Sequence, residues 1–581
     1  MSRAVHDPVL TQVVGSYVLA AAEEMGVSLM RTAYSTNIKE RGDCSTAIFD
    51  AHGDTLAQAS HVPLHLASLM GLVRRVAQEY GPDEIESGDV FLANDPYQGV
   101  GSQLNDIAVA APVFWEGEVV AYAATIAHHS DVGGRFPGSE AAACTTMYEE
   151  GLRLPAVRLY KRGELQSDVL RIVQTNSRVP RNIAGDMRAQ VAAVRLGVRR
   201  MEELHARYGR DVVAACLASW LDYAEARVRH AIRELPAGTY SFWDHLEEEG
   251  ASDGTARLQV AVTVRDGSLS FDFTGCPPQV GNSHNVPWLA LLATVYYAAK
   301  AVLDPEVPPN SGYYRAIEVV APSGTIVNAA PPAAVGTRNH TCQKLVDVIM
   351  GAFAQAAPER VIAGCASSKL MIVGGVNPRT GHPFIDYEAS AGGLGARHGK
   401  DGLDVCRAHM TNTSNLPIEA LEMEDPLLVV RYEMVPDTGG PGRFRGGLGM
   451  RRDTVMLGGG FTHSGFAIGH KYPGVGLAGG QRGRITAPSM LVLDPGTGGE
   501  RALDPAAFYT LSEGDVLSVS TPGGGGYGDP CERDVEAVRR DVLEGKVTPE
   551  GAARDYGVAV DAEGNLDLAR TAELRASLRP R

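Results

Sequence analysis

The segment IAHHSDVGG places two adjacent histidines, His128 and His129, and an acid, Asp131, directly after a run of β-favouring residues, VVAYAATIA. Imidazoles and carboxylates are the groups that bind divalent cations and move protons near neutral pH. A second β-like run, DIAVAAPVFW, precedes the first and is joined to it by Glu116-Gly117-Glu118, so the two are predicted to form a hairpin with glycine in the turn. If the loop is those three residues, Trp115 faces Val119 and the register runs down to Asp106 opposite His128, with Cβ atoms about 5 Å apart. A carboxylate and an imidazole at that spacing can share a divalent ion, or the acid can orient the histidine as a general base. A two-residue turn would shift the register by one and send the two side chains to opposite faces. Pro112, inside the first run, signals an edge or a bulge. The structural alternative makes His128 a hydrogen-bonded core histidine and Asp131 a turn residue ahead of Gly133-Gly134. From these residues alone both readings stand.

Other polar clusters lie in glycine-flanked loops, where binding groups collect. His284 stands in GNSHN, and Arg338, Asn339 and His340 stand in GTRNH. Each is a candidate to touch substrate, as is Asp131, with a structural role as the alternative. Asp95 in NDPY reads as a turn or cap residue. The glycine-rich stretches AGGLGARHGKDG, FRGGLGMRR and TPGGGGYGDP resemble phosphate loops only loosely, and tight turns or close backbone packing explain them as well. Arg443 and Arg445 read as solvated charges. The sequence holds no G-x-x-x-x-G-K-[ST] cradle, so it supplies no ATP site of that kind.

The elements that must position these groups follow from periodicity. Asp7-Pro8 is a cap with proline at the first helical position, and Leu10, Val13, Val14, Tyr17, Val18, Ala21 and Met25 recur at helical spacing. Short β-like runs (STAIFD, DVFLAND and the two above) follow. Residues 186–235 read as a helical pair joined at Gly209, residues 236–275 as strands, and NVPWLALLATVYYAAKAVL as a buried helix. Beyond about residue 420 glycine, proline and short strands dominate, and ERDVEAVRRDVLEGKVTPEGAARDYG reads as a charged surface hairpin of helices. The expected fold is therefore multidomain α+β, mixing helices and antiparallel sheets, with a β-rich carboxy-terminal domain. Boundaries fall at 1–185 (carrying the candidate site), 186–235, 236–420, 421–530 and 531–581.

With 581 residues and 44% apolar content the chain can bury several cores. A net charge of -16 without basic clusters disfavours nucleic acid and anionic membranes. The eight cysteines are scattered without a C-x-x-C pair, which points to reduced thiols and not to a disulfide framework or a zinc site. The amino terminus lacks the order of a signal peptide, and the apolar stretch from Val286 stops at Lys300, short of a bilayer span. The expectation is a cytoplasmic protein.

Several segments together resemble the hydantoinase B/oxoprolinase family: RTAYSTNIKERGDCSTAIFD, GDVFLANDPYQG, IAHHSDVGG, NSRVPRNIAGDMRAQ, GNSHNVPWLA, GTRNHTCQK, DTGGPGRFRGGLGMRRD and TPGGGGYGDP. They run in family order over nearly the whole chain. The resemblance implies a protein that works with a separate hydantoinase A-type subunit, which binds ATP and phosphorylates a carbonyl oxygen of the substrate. It also implies a divalent metal (Mn, Zn, Fe or Mg) held by Asp43, by the pair Gln103 and Asp106, and by His128. Gln103 departs from the family pattern, which has histidine there, and a neutral amide oxygen suits Mg²⁺ or Mn²⁺ better than Zn²⁺.

The implied function is the B subunit of an ATP-dependent cyclic amidase in a hetero-oligomer, opening a hydantoin, a 5-oxoproline-like lactam or a related ring. His128, Asp106 and His129 are its candidate catalytic groups. Two alternatives remain: an ATP-dependent carboxylase acting on a ketone, and a structural partner whose metal site has degenerated at Gln103.

Overall fold

The structure, a computed structural model, describes residues 7–578 apart from 66, 248–253, 367–368, 468 and 488–489. The first helix, α1 (Pro8–Thr32), starts where the sequence places it: Asp7 accepts a hydrogen bond from the Val9 N–H, and Pro8 fills the first helical position. By length and composition α1 could cross a membrane. Here its apolar stripe, Val14, Val18, Met25 and Leu29, is instead buried in a protein core.

After α1 come β1 (Cys44–Asp50), β2 (Thr55–Gln58), α2 (Met70–Glu79), β3 (Val90–Ala93), β4 (Asp106–Trp115), β5 (Glu118–His128), β6 (Val157–Lys161) and β7 (Glu164–Leu165). The seven strands form one antiparallel sheet in the order β2-β1-β5-β4-β3-β6-β7. Both of its faces are covered, which is why β4 and β5 read as unbroken apolar runs. On β4, Ile107, Val109, Ala111 and Val113 join the core shared with α1. Ala108 and Ala110 face the other way, into the core shared with the next part of the chain.

Two long helices, α3 (Pro180–Tyr208) and α4 (Arg210–Arg233), pack with α1 over the first of these faces. The break at Gly209 matches the sequence reading, but α3 begins six residues before the predicted Asp186, at a proline suited to the first helical turn. Asp186 lies inside the helix, and its carboxylate accepts from the Tyr34 and Ser35 N–H groups.

The next layer is a second sheet, β8 (Gly238–Glu247), β9 (Thr255–Arg265), β10 (Ser268–Asp272) and β11 (Ile317–Val320), in which only β10 and β11 pair in parallel. The buried helices α5 (Trp288–Leu303) and α6 (Arg338–Phe353) share its core.

The carboxy-terminal region is β-rich, as expected. A third sheet joins β12 (Lys369–Val376) and β13 (Pro383–Ser390) to strands beyond residue 420. The regions on either side of that boundary therefore share a layer. The fourth sheet contains β14 (Leu427–Met434), β15 (Met450–Met456), β17 (Leu491–Leu493), β18 (Arg501–Ala502) and β20 (Val516–Ser520). The third is completed by β16 (Phe461–Ala467) and β19 (Tyr509–Leu511).

The glycine stretches pack backbone on backbone: Gly440 N–H donates to Gly524 O, Gly447 N–H to Leu394 O and Ala396 N–H to Gly525 O, each at 2.8 Å. A Cβ on Gly524 would lie 2.1 Å from Leu394 O, so these segments are close-packing strips rather than phosphate loops. The terminal helices α7 (Val535–Leu543) and α8 (Pro549–Tyr556) enclose a small core of their own around Val538 and Tyr556.

Candidate functional site

The β4–β5 hairpin builds the site by a route that differs from the predicted one. Its turn is the two-residue pair Glu116-Gly117, with φ of 51° and 86°, and Trp115 faces Glu118. Both residues are left-handed, as the tight turn that matches strand twist requires. A register shift between Val113 and Phe114 then restores the step lost at the turn, so Asp106 does face His128. Pro112 costs no bond to β3, because that ladder ends with Phe91 opposite Ala110.

Asp106 and His128 are both buried, and Asp106 Oδ1 lies 3.2 Å from His128 Nδ1. The other carboxylate oxygen accepts from Ser102 Oγ at 2.7 Å and from Arg338 Nη2 at 3.0 Å. Arg338, the first residue of α6, also donates to Gln103 Oε1 at 2.7 Å. That bond fixes the amide's orientation and leaves its NH₂ facing His128 Nδ1, again at 2.7 Å. Burial opposes ionisation of Asp106, but the Arg338 guanidinium and the hydrogen bond to His128 outweigh it and hold the carboxyl well below the usual carboxylate range. Burial likewise works to lower the His128 pKa, yet the bond to Asp106 and the charges of Asp43 and Glu140 raise it on balance.

Three side chains without a part in the sequence reading belong to this cluster. His65 Nε2 stands 3.9 Å from Asp106 Oδ1, with its Nδ1 on Ser45 Oγ at 3.1 Å. Glu140 Oε1 stands 3.7 Å from His128 Nε2, and its Oε2 accepts from the Tyr387 hydroxyl at 2.9 Å. Both His128 Nε2 and Glu140 Oε1 are buried without a hydrogen-bond partner among the described residues, and burial pushes the Glu140 carboxyl up. Tyr387 lies beside the His128 ring, with centroids 4.7 Å apart. Local sequence carries only a weak signal for Glu140, a lone acid twelve residues after His128, and none for Tyr387, which arrives from β13.

The remaining candidates divide. Asp43, Gln103, Asp106, His128, Arg338 and Asn339 line one small void together with His65, Tyr387, Arg407 and Thr411. His129 turns away, its Nε2 3.1 Å from Gln190 Oε1 on α3. Asp131 is a structural anchor, accepting from the Gly133, Gly138 and Arg178 N–H groups and from the Arg178 guanidinium. His284 Nδ1 is 3.0 Å from Thr337 Oγ1, and His340 lies against Phe466 with both ring nitrogens unpartnered among the described residues.

The void measures about 20 Å³, room for one water or one ion. Around it Gln103 Nε2, His128 Nδ1 and Asp106 Oδ1 form a triangle with edges of 2.7, 3.2 and 3.4 Å. A cation about 2.1 Å from each ligand sets neighbouring ligand atoms roughly 3.0–3.4 Å apart. Nδ1 cannot accept from Gln103 and donate to Asp106 at once, so one of the two contacts lacks a hydrogen. With the Gln103 NH₂ donating to Nδ1, Nδ1 and Asp106 Oδ1 are two acceptors 3.2 Å apart, a pairing that fits a cation. Placing one there requires the Gln103 amide to turn over, giving up its bond from Arg338 for a bond from its oxygen to the ion.

A larger cavity of about 530 Å³ lies alongside, lined by His61, Trp220, Tyr297 and Lys300 among others, and Val62 stands on the wall of both spaces. Burial lowers the Lys300 pKa to about 8.

The family model for Hydantoinase B/oxoprolinase matches residues 7–530. The chain is 36% identical over 586 residues to the B subunit of a putative D-/L-hydantoinase from Pseudomonas sp. strain NS671, covering 98% of each. The crystal structure of an ATP-dependent caprolactamase from Pseudomonas jessenii matches with a TM-score of 0.91 at 33% identity, over 99% of this chain and 100% of that one. Nucleotide-free acetone carboxylase matches with the same TM-score at 21% identity, over 99% of this chain and 83% of that one, a likeness of fold.

Proposed function

Because the chain belongs to the hydantoinase B/oxoprolinase family, we propose that it is the B subunit of an ATP-dependent cyclic amidase, acting on a hydantoin, a lactam or a related ring. Its relatives are named for that chemistry, as the B subunit of a hydantoinase and an ATP-dependent caprolactamase. A hydantoinase A-type partner would bind ATP and phosphorylate the ring carbonyl oxygen, turning a poor electrophile into a reactive one. The observation that carries the reading is the buried Asp106–His128 pair at a void with room for one water or ion.

The void is too small for a ring, whereas the adjoining cavity of about 530 Å³ is of the size that small-molecule sites have. In this reading the ring sits there, and the polar cluster acts on it across the shared wall at Val62. Asp106 holds the His128 imidazole in place, Arg338 keeps Asp106 ionised, and His128 takes the proton of an attacking water. Alternatively Asp43, Gln103, Asp106 and His128 would hold a divalent cation, whose chemistry would be to make that water more acidic in place of a histidine base.

The test is ring opening coupled to ATP hydrolysis by the full-length chain together with its A-type partner. His128→Ala is expected to lose at least tenfold in rate, at least about 1.4 kcal/mol of transition-state stabilisation. Unchanged activity would make the chain a structural partner instead. ATP turnover that requires bicarbonate and a ketone would make it part of a carboxylase.

A further inference from the structure

Asp347, on α6, Cys365 and His409 bring a carboxylate, a thiol and an imidazole together, with ligand atoms all within 4.8 Å of one another and all three residues buried. Cys365 Sγ is 3.0 Å from His409 Nε2, and Asp347 Oδ1 is 3.9 Å from the same nitrogen. The other imidazole nitrogen, Nδ1, is 3.0 Å from the Tyr297 hydroxyl.

This convergence separates two readings of a Cys/His/Asp set. In a nucleophile relay the acid stands on the far imidazole nitrogen and the thiol on the near one. Here thiol and acid both converge on Nε2, and the far nitrogen meets a hydroxyl. That is the arrangement of a metal centre: Nε2, Sγ and a carboxylate oxygen point at one place, while a polar neighbour on Nδ1 fixes the tautomer. Asp347 Oδ1 accepts from the Cys365 N–H at 3.0 Å, which draws the acid and the thiol-bearing residue together, while Oδ2 is buried with no hydrogen-bond partner among the described residues, so the carboxylate keeps acceptor capacity for a cation.

We propose that Asp347, Cys365 and His409 bind one borderline-soft divalent cation, zinc being the best match, at a centre separate from the Asp106–His128 void. Zinc takes sulfur at about 2.3 Å and nitrogen at about 2.0 Å, which places those two atoms about 3.5 Å apart in a tetrahedral site. The observed separations of 3.0 and 3.9 Å need adjustments of about half an ångström to meet it. Thiolate and carboxylate together balance the two positive charges. The Cys365 thiol proton leaves for solvent on binding, and the Gly395 N–H, 3.4 Å from Sγ, donates to the thiolate.

The centre has a structural consequence for the first site. Asp347 rides on the helix that begins with Arg338. His409 lies between Arg407 and Thr411, both on the wall of the first void, and is held at φ 62°, a backbone strained for a non-glycine residue. A cation here ties helix α6 to the 407–411 segment and so fixes one side of the first site.

The full-length chain, expressed in zinc-depleted medium with cobalt supplied, tests this directly. The expected result is a thiolate-to-cobalt charge-transfer absorption in the near ultraviolet, which the first void cannot give because no cysteine lines it among the described residues. Elemental analysis of zinc-supplied protein is expected to show that Cys365→Ser lowers bound zinc by one equivalent per chain while Asp106→Asn keeps that equivalent. Should Cys365→Ser fail to fold, the cobalt spectrum of the unmutated chain decides. Absence of the thiolate band with metal supplied, or a Cys365→Ser protein with unchanged band and zinc, overturns the proposal.

Discussion

Arg338→Met asks what the buried guanidinium does. Arg338 is 3% exposed and Asp106 fully buried, and they meet at 3.0 Å. Removing the cation leaves Asp106 with Ser102 Oγ at 2.7 Å and His128 at 3.2 Å, and without its guanidinium partner. Breaking one side of a buried ion pair costs about 3–5 kcal/mol, because the other charge stays uncompensated in a low dielectric. At roughly 2–4 °C per kcal/mol for a cooperative unit of this size, the melting transition of the amino-terminal layer should fall by about 10 °C. Asp106→Asn alone should also destabilise, by stranding Arg338. The double variant has no unpaired charge and should recover at least about 2 kcal/mol of the summed loss. The assay is calorimetry of the four proteins in chelator, so that no cation replaces the guanidinium. Arg338→Lys, which keeps the charge and loses the fork, should fall between parent and Met variant. If the two single losses simply add to within about 0.5 kcal/mol, Arg338 and Asp106 do not act as a pair and the account of the Asp106 charge fails.

Other perturbations test the scaffold. Gly71→Ala puts a Cβ 1.3 Å from Gly99 O, a backbone clash on the loop leading to Ser102; it should cost several kcal/mol, more than a typical point mutation of about 1, and equal melting of variant and parent would contradict it. At the hairpin turn, where Glu116 and Gly117 both have positive φ, Glu116→Asn should stabilise by about 0.5 kcal/mol and Gly117→Val should destabilise by about 1–2, measured by thermal melts. Burial pushes the Glu150 carboxyl up to about 8, while its Oε1 accepts from the Val335 and Gly336 N–H groups. The folded chain therefore binds the extra proton between about pH 4.5 and 8, and stability falls as pH rises through that window. Glu150→Gln keeps both bonds without the charge, so it should lie within about 1 kcal/mol of the parent near pH 5 and exceed it near pH 8 by on the order of 4 kcal/mol; parallel pH profiles would refute this.

How much of this was legible depends on how local each cause is. The cap at Asp7-Pro8, the strand runs and the break at Gly209 are written in neighbouring residues and appear where periodicity puts them. The facing of Asp106 and His128 follows from the sequence through a turn of the wrong length: a two-residue loop and a bulge offset each other, and only the bulge signal at Pro112 was local. Polar residues in glycine-flanked loops proved a coarse guide. Arg338 and Asn339 reach the void, whereas His340 lies against Phe466, because two helical steps of about 100° each turn it away from the side that Arg338 faces. His65, Glu140 and Tyr387 come to the cluster from separate parts of the chain. So do Asp347, Cys365 and His409, whose thiol the cysteine spacing placed among inert buried residues. Such groupings are set by how layers stack, and no spacing rule encodes them.

Gln103 shows how one substitution couples the two possible states of the void. Its amide now bridges unlike neighbours, oxygen to Arg338 and NH₂ to His128. An imidazole at that place would offer a lone pair to a cation at the expense of the acceptor Arg338 uses. With glutamine one side chain can serve either arrangement: turning the amide over, without moving the backbone, gives its oxygen to a cation and gives up the bond from Arg338. In the arrangement observed, the guanidinium supplies the positive charge that Asp106 needs. With a cation in the triangle, Asp106 would face two positive groups, and the other carboxylate on the wall, Asp43, gains a reason to stand there. Arg338 on one carboxylate oxygen and His128 on the other thus account for both sides of Asp106, and helix α6, which carries Arg338 at one end and Asp347 further along, fixes where that guanidinium stands.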